Sequence, residues 1–150
     1  MAEGILREKL DREEIANVTV SSAGIWATNG MPAVDNARLV ARSHDVDLSW
    51  HHARKLNMNL IDEADLILVM EEAHVDSVRK NYPSAADRLF MIKAFGPKAG
   101  GGEVADPMGS GLEIFETCYD ELDYEICRIF PAIQKRISKK RSVFPFLKRP

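Results

Sequence analysis

The chain has 150 residues, 45% hydrophobic and 29% charged, with a formal net charge of −3. That is enough for one domain around a single core, and the charge balance offers no basic surface of the kind that holds nucleic acid. No apolar run reaches the ~20 residues of a membrane-spanning helix, the amino terminus resembles no secretory signal, and two cysteines are too few for a disulfide framework, so a reducing, cytoplasmic setting is expected.

Helical and strand periods alternate along the chain. Residues 2–14 place Ile5, Leu6 and Leu10 on one side and Arg7, Glu8, Asp11 and Arg12 on the other, which predicts an amphipathic helix. Val18-Thr19-Val20-Ser21-Ser22 is short and rich in β-branched residues, so it reads as a strand. Gly24, Asn29-Gly30 and Pro32 then mark a loop. Ala37, Val40 and Ala41 recur at helical spacing through about His44. Asp62 to Ala64 read as the end of another short helix. The run Leu66-Ile67-Leu68-Val69-Met70 is continuously apolar, as a parallel strand covered on both faces should be. Residues 72–80 predict a helix and Leu89-Phe90-Met91-Ile92 a last strand.

The strongest periodic signal lies near the carboxyl end. Leu112, Phe115, Tyr119, Leu122, Ile126, Ile129, Ile133 and Ile137 recur at gaps of three and four, with Pro131 expected to kink the helix or begin a second segment. Cys118 and Cys127 fall on this helix about 13 Å apart in rise and on opposite faces, so they cannot pair with each other. The predicted domain covers residues 1–138. Residues 139–150, with Lys139-Lys140-Arg141 and Phe144-Pro145-Phe146-Leu147-Lys148-Arg149-Pro150, read as a basic flexible tail. Strands alternating with helices predict an α/β fold, an open parallel sheet with helices on both faces. Ligands of such sheets sit beyond the carboxyl ends of the strands.

Several stretches carry a more specific signal in their order and spacing. They are Met1-Ala2-Glu3-Gly4-Ile5-Leu6, Val20-Ser21-Ser22-Ala23-Gly24-Ile25-Trp26 and Leu48-Ser49-Trp50-His51-His52-Ala53-Arg54. Asp65-Leu66-Ile67-Leu68-Val69-Met70, Val104-Ala105-Asp106-Pro107-Met108-Gly109 and Phe115-Glu116-Thr117 follow in turn. From Met1 to about Phe130 the chain resembles the low-molecular-weight protein-tyrosine phosphatases.

That resemblance implies hydrolysis of a phosphotyrosine protein or aryl phosphate without a metal or organic cofactor. A cysteine in a Cys-x5-Arg loop is held as thiolate by backbone N–H groups, the arginine and a helix amino terminus. The thiolate attacks phosphorus while an aspartate, matched here by Asp106, protonates the leaving group and later takes a proton from water. Trp26 matches an aromatic that walls the cleft, although a loop anchor is an equal reading. Met108 stands where the family often has a ring-stacking aromatic, so it offers an apolar cleft wall of another shape. Asp45 stands where a glycine commonly ends the second helix; Asp can adopt left-handed geometry.

The nucleophile has no counterpart. No Cys-x5-Arg occurs in the 150 residues, and both cysteines sit in the last helix. In the family the segment bearing that loop also supplies the first strand, which lies inside the sheet. The expectation is therefore a phosphatase fold with its first central strand missing, from a start placed at an internal methionine, and a chain inactive as it stands. Orphaned N–H and C=O groups along the gap would cost roughly 1–3 kcal/mol each. Two other readings are a non-catalytic relative that binds phosphoproteins or regulates an active partner, and an arsenate reductase, the latter disfavoured because residues 70–105 contain no cysteine. His44, His51, His52 and His74 fit no zinc spacing, so no metal is expected. His44 reads as a partner of a helix carboxyl end. Arg54 and Lys55 read as solvated surface charge.

Overall fold

A computed structural model describes residues 1–16 and 18–143, with side chains through Ser138. The elements run α1 (Ala2–Arg12), α2 (Asp35–Ser43), α3 (Met58–Glu63), β1 (Ile67–Val69), α4 (Glu72–Asn81), β2 (Leu89–Met91) and α5 (Leu112–Val143), with short 3-10 turns at Pro83–Ala85 and Ile92–Ala94. β1 and β2 pair in parallel, Ile67 opposite Leu89 and Val69 opposite Met91, with α4 between them in sequence.

The continuous apolar run of β1 has the predicted cause. Leu66, Leu68 and Met70 pack on a core built with α1, α2 and α5, whereas Ile67 and Val69 pack on a second core with Ile61, Val75 and Val78 of α3 and α4. Successive side chains leave a strand on opposite faces, so burial on both sides requires every position to be apolar. Helices thus cover both faces of a parallel sheet, as the sequence implied.

Val18–Ser22 corrects the sequence reading. No strand forms there. Val18, Val20 and Ser22 are partly buried while Thr19 and Ser21 are exposed, the alternation of a strand with one covered face. Among the described residues, however, no backbone–backbone hydrogen bond runs from this stretch. Side chains hold it instead: Arg7 donates to the Val20 carbonyl at 2.8 Å, Arg54 to the Ser22 carbonyl at 2.8 Å, and the Ser22 hydroxyl to Glu3 at 2.6 Å. A strand is defined by its ladder, and β-branched residues supply the conformation without supplying a neighbour.

α5 runs as one helix from Leu112 to Val143, through Pro131. Pro131 is exposed, as is Cys127, whose carbonyl loses its helical donor to the proline. That carbonyl lies on the solvent side, where water can replace the lost bond, so the helix continues rather than beginning a second segment. The buried stripe follows the expected spacing from Phe115 to Ile133, whereas Leu112 at the first turn is exposed. The helix extends five residues past Ser138; the rest of the proposed tail, residues 144–150, lies outside the described residues. Asp45 follows α2 with φ +62°, the left-handed geometry that its replacement of a glycine implied. Gly4 has a steric role. A Cβ there would lie 2.6 Å from Leu48 Cδ2 and 2.8 Å from Val46 Cγ1, so glycine lets α1 approach that segment.

Candidate active site

The amino end of α1 opens on a cavity of about 270 Å³. The first intrahelical bond of α1 runs from Ile5 N–H to the Met1 carbonyl at 3.1 Å, and no side chain caps the helix. The N–H groups of Ala2, Glu3 and Gly4 therefore lie at the positive end of the helix dipole without intrahelical acceptors. All three residues line the cavity. Such an end favours an anion.

Asp106 lines the same cavity. Its loop is anchored to the end of β1, where Val104 N–H donates to the Met70 carbonyl at 3.0 Å. The Glu103 carboxylate accepts from Glu72 N–H at 2.8 Å and so caps α4. Asp106 is exposed, and its Oδ1 accepts from Met108 N–H at 2.9 Å. That bond closes an Asx turn. Gly109, with φ +82°, then turns the chain towards α5.

Three further residues at the cavity had no assigned role in the sequence reading. Glu3, with its side chain only 8% exposed, holds Arg7 at 2.9 Å, the Ser22 hydroxyl at 2.6 Å and His51 Nδ1 at 3.4 Å. His51 lines the cavity with Glu3, and His74 enters from α4. The sequence signal was there for His51, in the His51-His52-Ala53-Arg54 stretch, but nothing local placed His74. Trp26 is 79% exposed; its ring lies 6.5 Å from that of His74, so it reaches the cavity rim only through that histidine. Met108, 63% exposed, does not line the cavity.

Cys118 also reaches the cavity wall. Burial pushes its thiol pKa up, against the opposing pull of the Met1 ammonium. The thiolate is the nucleophilic form, so this environment suppresses the reactivity a substitute nucleophile needs. Burial likewise pushes the Met1 α-amino pKa down, with Cys118 and Glu3 opposing that shift. No lysine or arginine is among the described residues lining the cavity. Arg7, the nearest cation along α1, is engaged by Glu3 and the Val20 carbonyl, and its guanidinium lies 4.3 Å from the centre of the Trp50 ring.

One potential set of metal ligands converges elsewhere among the described residues. His44, Glu116 and Asp120 bring donor atoms within 4.8 Å of one another. His44 Nε2 is 2.5 Å from Glu116 Oε1, and its ring stacks on Tyr119 with centroids 4.1 Å apart. His44 is also the C-cap of α2, the dipole position expected of it.

A helix amino end and a loop aspartate thus line one cavity near the carboxyl end of a parallel strand. The sequence profile of the low molecular weight phosphotyrosine protein phosphatases matches residues 1–142. This chain belongs to that family. It is 30% identical over 125 residues to a protein-arginine-phosphatase of Geobacillus stearothermophilus, covering 83% of each chain. It is 33% identical over 116 residues to the low molecular weight protein-tyrosine-phosphatase Wzb of Salmonella typhi, covering 77% of this chain and 76% of that one. Among solved structures it is similar to the low molecular weight protein tyrosine phosphatase from T. tengcongensis, with 33% identity and a TM-score of 0.81 over 87% of this chain and 88% of that one. Membership makes the family's chemistry, removal of a phosphoryl group from a protein, the frame for the cavity.

Proposed function

We propose that this chain is the scaffold of a cytoplasmic protein phosphatase that hydrolyses phosphotyrosine through a phosphocysteine, with Asp106 as proton donor and acceptor. The observation that carries this is the cavity that Asp106 shares with the free N–H groups of α1. Those N–H groups suit the phosphoryl oxygens, and Asp106 suits the leaving oxygen. In this reading Trp26 and Met108 contact the substrate's side chain at the rim.

The thiolate and the phosphate-binding arginine belong to a Cys-x5-Arg segment that these 150 residues do not contain. The composition of the cavity supports that assignment. Its lining holds Glu3, Glu71 and Asp106 and no lysine or arginine side chain; Arg7 is engaged by Glu3, so no guanidinium is offered to a dianion there. The alternately buried Val18–Ser22 stretch and the edge of β1 that has no partner strand among the described residues are suited to flank the strand leading into such a segment. On this account the 150 residues alone neither form a phosphocysteine nor hold a phosphoprotein tightly, which disfavours a purely phosphate-binding role.

Phosphoarginine is the second reading, favoured by one observation. After Asp106-Pro107 the chain runs Met108-Gly109-Ser110-Gly111, with no aromatic to stack on a phenyl ring. The relative from Geobacillus stearothermophilus, by its name, acts on arginine.

The test joins a Cys-x5-Arg segment ahead of Met1 and compares hydrolysis of phosphotyrosine and phosphoarginine peptides with that of the 150-residue chain. Activity confined to the joined form, and lost when its cysteine becomes serine, is expected. Equal hydrolysis by the unjoined chain, or none by a folded joined form, overturns the proposal.

A further inference from the structure

One cluster of metal-ligating side chains lies outside the cavity and has no part in the proposed reaction. His44 closes α2, and Glu116 and Asp120 stand one turn apart on one face of α5. The donor atoms of the three lie within 4.8 Å of one another, and none of the three residues lines the cavity. His44 and Glu116 are 72 residues apart in sequence, so no local spacing announces the set.

The charge of this cluster is unbalanced. Glu116 and Asp120 place like charges at i and i+4, which works against a helix. Among the described residues neither is ion-paired to a lysine or arginine. His44 Nε2 lies 2.5 Å from Glu116 Oε1, so a proton sits between them, but the Asp120 charge stays unmatched. With that proton the three side chains sum to −1, whereas a divalent cation beside a neutral imidazole brings the sum to zero. The imidazole is also held in place, stacked on the Tyr119 ring with centroids 4.1 Å apart and 18° between the planes. It is therefore oriented before any ligand arrives. The carbonyl end of the α2 dipole favours a cation beside it.

We propose that His44, Glu116 and Asp120 form a surface site for a divalent transition-metal ion of the zinc class, which ties α2 to α5. One imidazole nitrogen and two carboxylate oxygens are a donor set that zinc accepts, whereas magnesium and calcium favour oxygen alone. Tetrahedral bonds of about 2.0–2.2 Å place donors about 3.4 Å apart. The His44–Glu116 separation therefore opens by about 0.9 Å as the metal takes the place of the proton, which passes to solvent. The side chains have room for that adjustment: His44 is 34% and Glu116 43% exposed, and Asp120 is exposed. Water completes the coordination. This inference is independent of the phosphatase reading, because the site and the cavity share no residue.

Isothermal titration of ZnCl2 into the metal-free 150-residue chain tests it, with MgCl2 as the comparison. The expected result is saturation at one zinc per chain and no saturable heat from magnesium. Loss of an outer-shell partner of a metal site costs about 10–100-fold in affinity, so removing a ligand in H44Q, E116Q or D120N should weaken zinc binding at least about tenfold. Because the ion joins two helices, zinc should also raise the thermal midpoint of the parent and leave that of H44Q unmoved. Asp120 is exposed, so D120N should match the parent in circular dichroism, which separates loss of a ligand from loss of fold. Cys127 is exposed as well; C127S should bind zinc as the parent does, and the cobalt-loaded parent should show no thiolate charge-transfer band. No saturable zinc binding, unchanged affinity in H44Q and D120N, equal uptake of magnesium, or loss of binding in C127S overturns the proposal.

Discussion

Arg128 is the residue whose loss the structure weights most heavily. Its side chain is 8% exposed and that of its partner Glu125 10% exposed. Nη1 donates to the carbonyls of Phe95 at 2.8 Å and Pro97 at 2.7 Å, Nη2 to those of Ile92 at 3.0 Å and Lys93 at 3.2 Å, and Nε to Glu125 Oε2 at 2.8 Å. One guanidinium thus fastens the segment leaving β2 to α5 and neutralises a buried carboxylate. Arg128→Met keeps much of the apolar stem but strands that carboxylate and removes a donor from four carbonyls. Breaking a buried pair from one side costs about 3–5 kcal/mol, a large share of a typical total of about 5–15 kcal/mol. Removing both charges in Arg128→Met/Glu125→Leu leaves only the carbonyls to be rehydrated, so the double variant should be more stable than the single one. Urea unfolding followed by circular dichroism measures both. A single-variant loss below about 1 kcal/mol, or a double variant that loses the sum of the two singles, would refute this reasoning.

Three other outcomes follow from the same geometry. In the form joined to a Cys-x5-Arg segment, Asp106→Asn should lower turnover about 10²–10⁴-fold. The loss should be smaller for p-nitrophenyl phosphate, whose leaving group needs less protonation, and steady-state kinetics on both esters will show whether it is. Asp45 at φ +62° should tolerate glycine within about 1 kcal/mol, whereas Asp45→Val should lose about 1–2 kcal/mol, because β-branched residues fit that region poorly. Chemical denaturation of the two variants separates these values. Burial pushes the Tyr119 pKa up to about 12. The unfolded phenol ionises near its ordinary value of about 10, so between those limits the native state holds more protons and stability falls as pH rises. Tyr119→Phe should flatten that part of the stability profile, and an unchanged slope would count against the assignment.

Legibility from sequence depended on whether the signal was local. The β1 run could be read because five consecutive apolar residues admit few alternatives once covered faces are considered. The α5 stripe could be read because its period holds over six turns. Val18–Ser22 shows the limit: its alternating burial follows the composition, while pairing depended on a neighbour that composition cannot specify. Asp106 was singled out by its Asp106-Pro107 motif and its order among other motifs, and folding places it at the cavity. His74 and Cys118 were not, because α4 and α5 bring them to the cavity only on folding. Arg128 drew no reading from the sequence, because the four carbonyls that converge on it come from a segment more than thirty residues away.

Amide hydrogen exchange puts the central claim to its most direct test. The Val18–Ser22 stretch and the outer edge of β1 are assigned to flank a strand that carries the catalytic loop. Exchange at Val18–Ser22 in the 150-residue chain should be fast, and both segments should gain protection together when the Cys-x5-Arg segment is joined ahead of Met1. Strong protection at Val18–Ser22 in the 150-residue chain, or no gain at either segment on joining, would contradict the account.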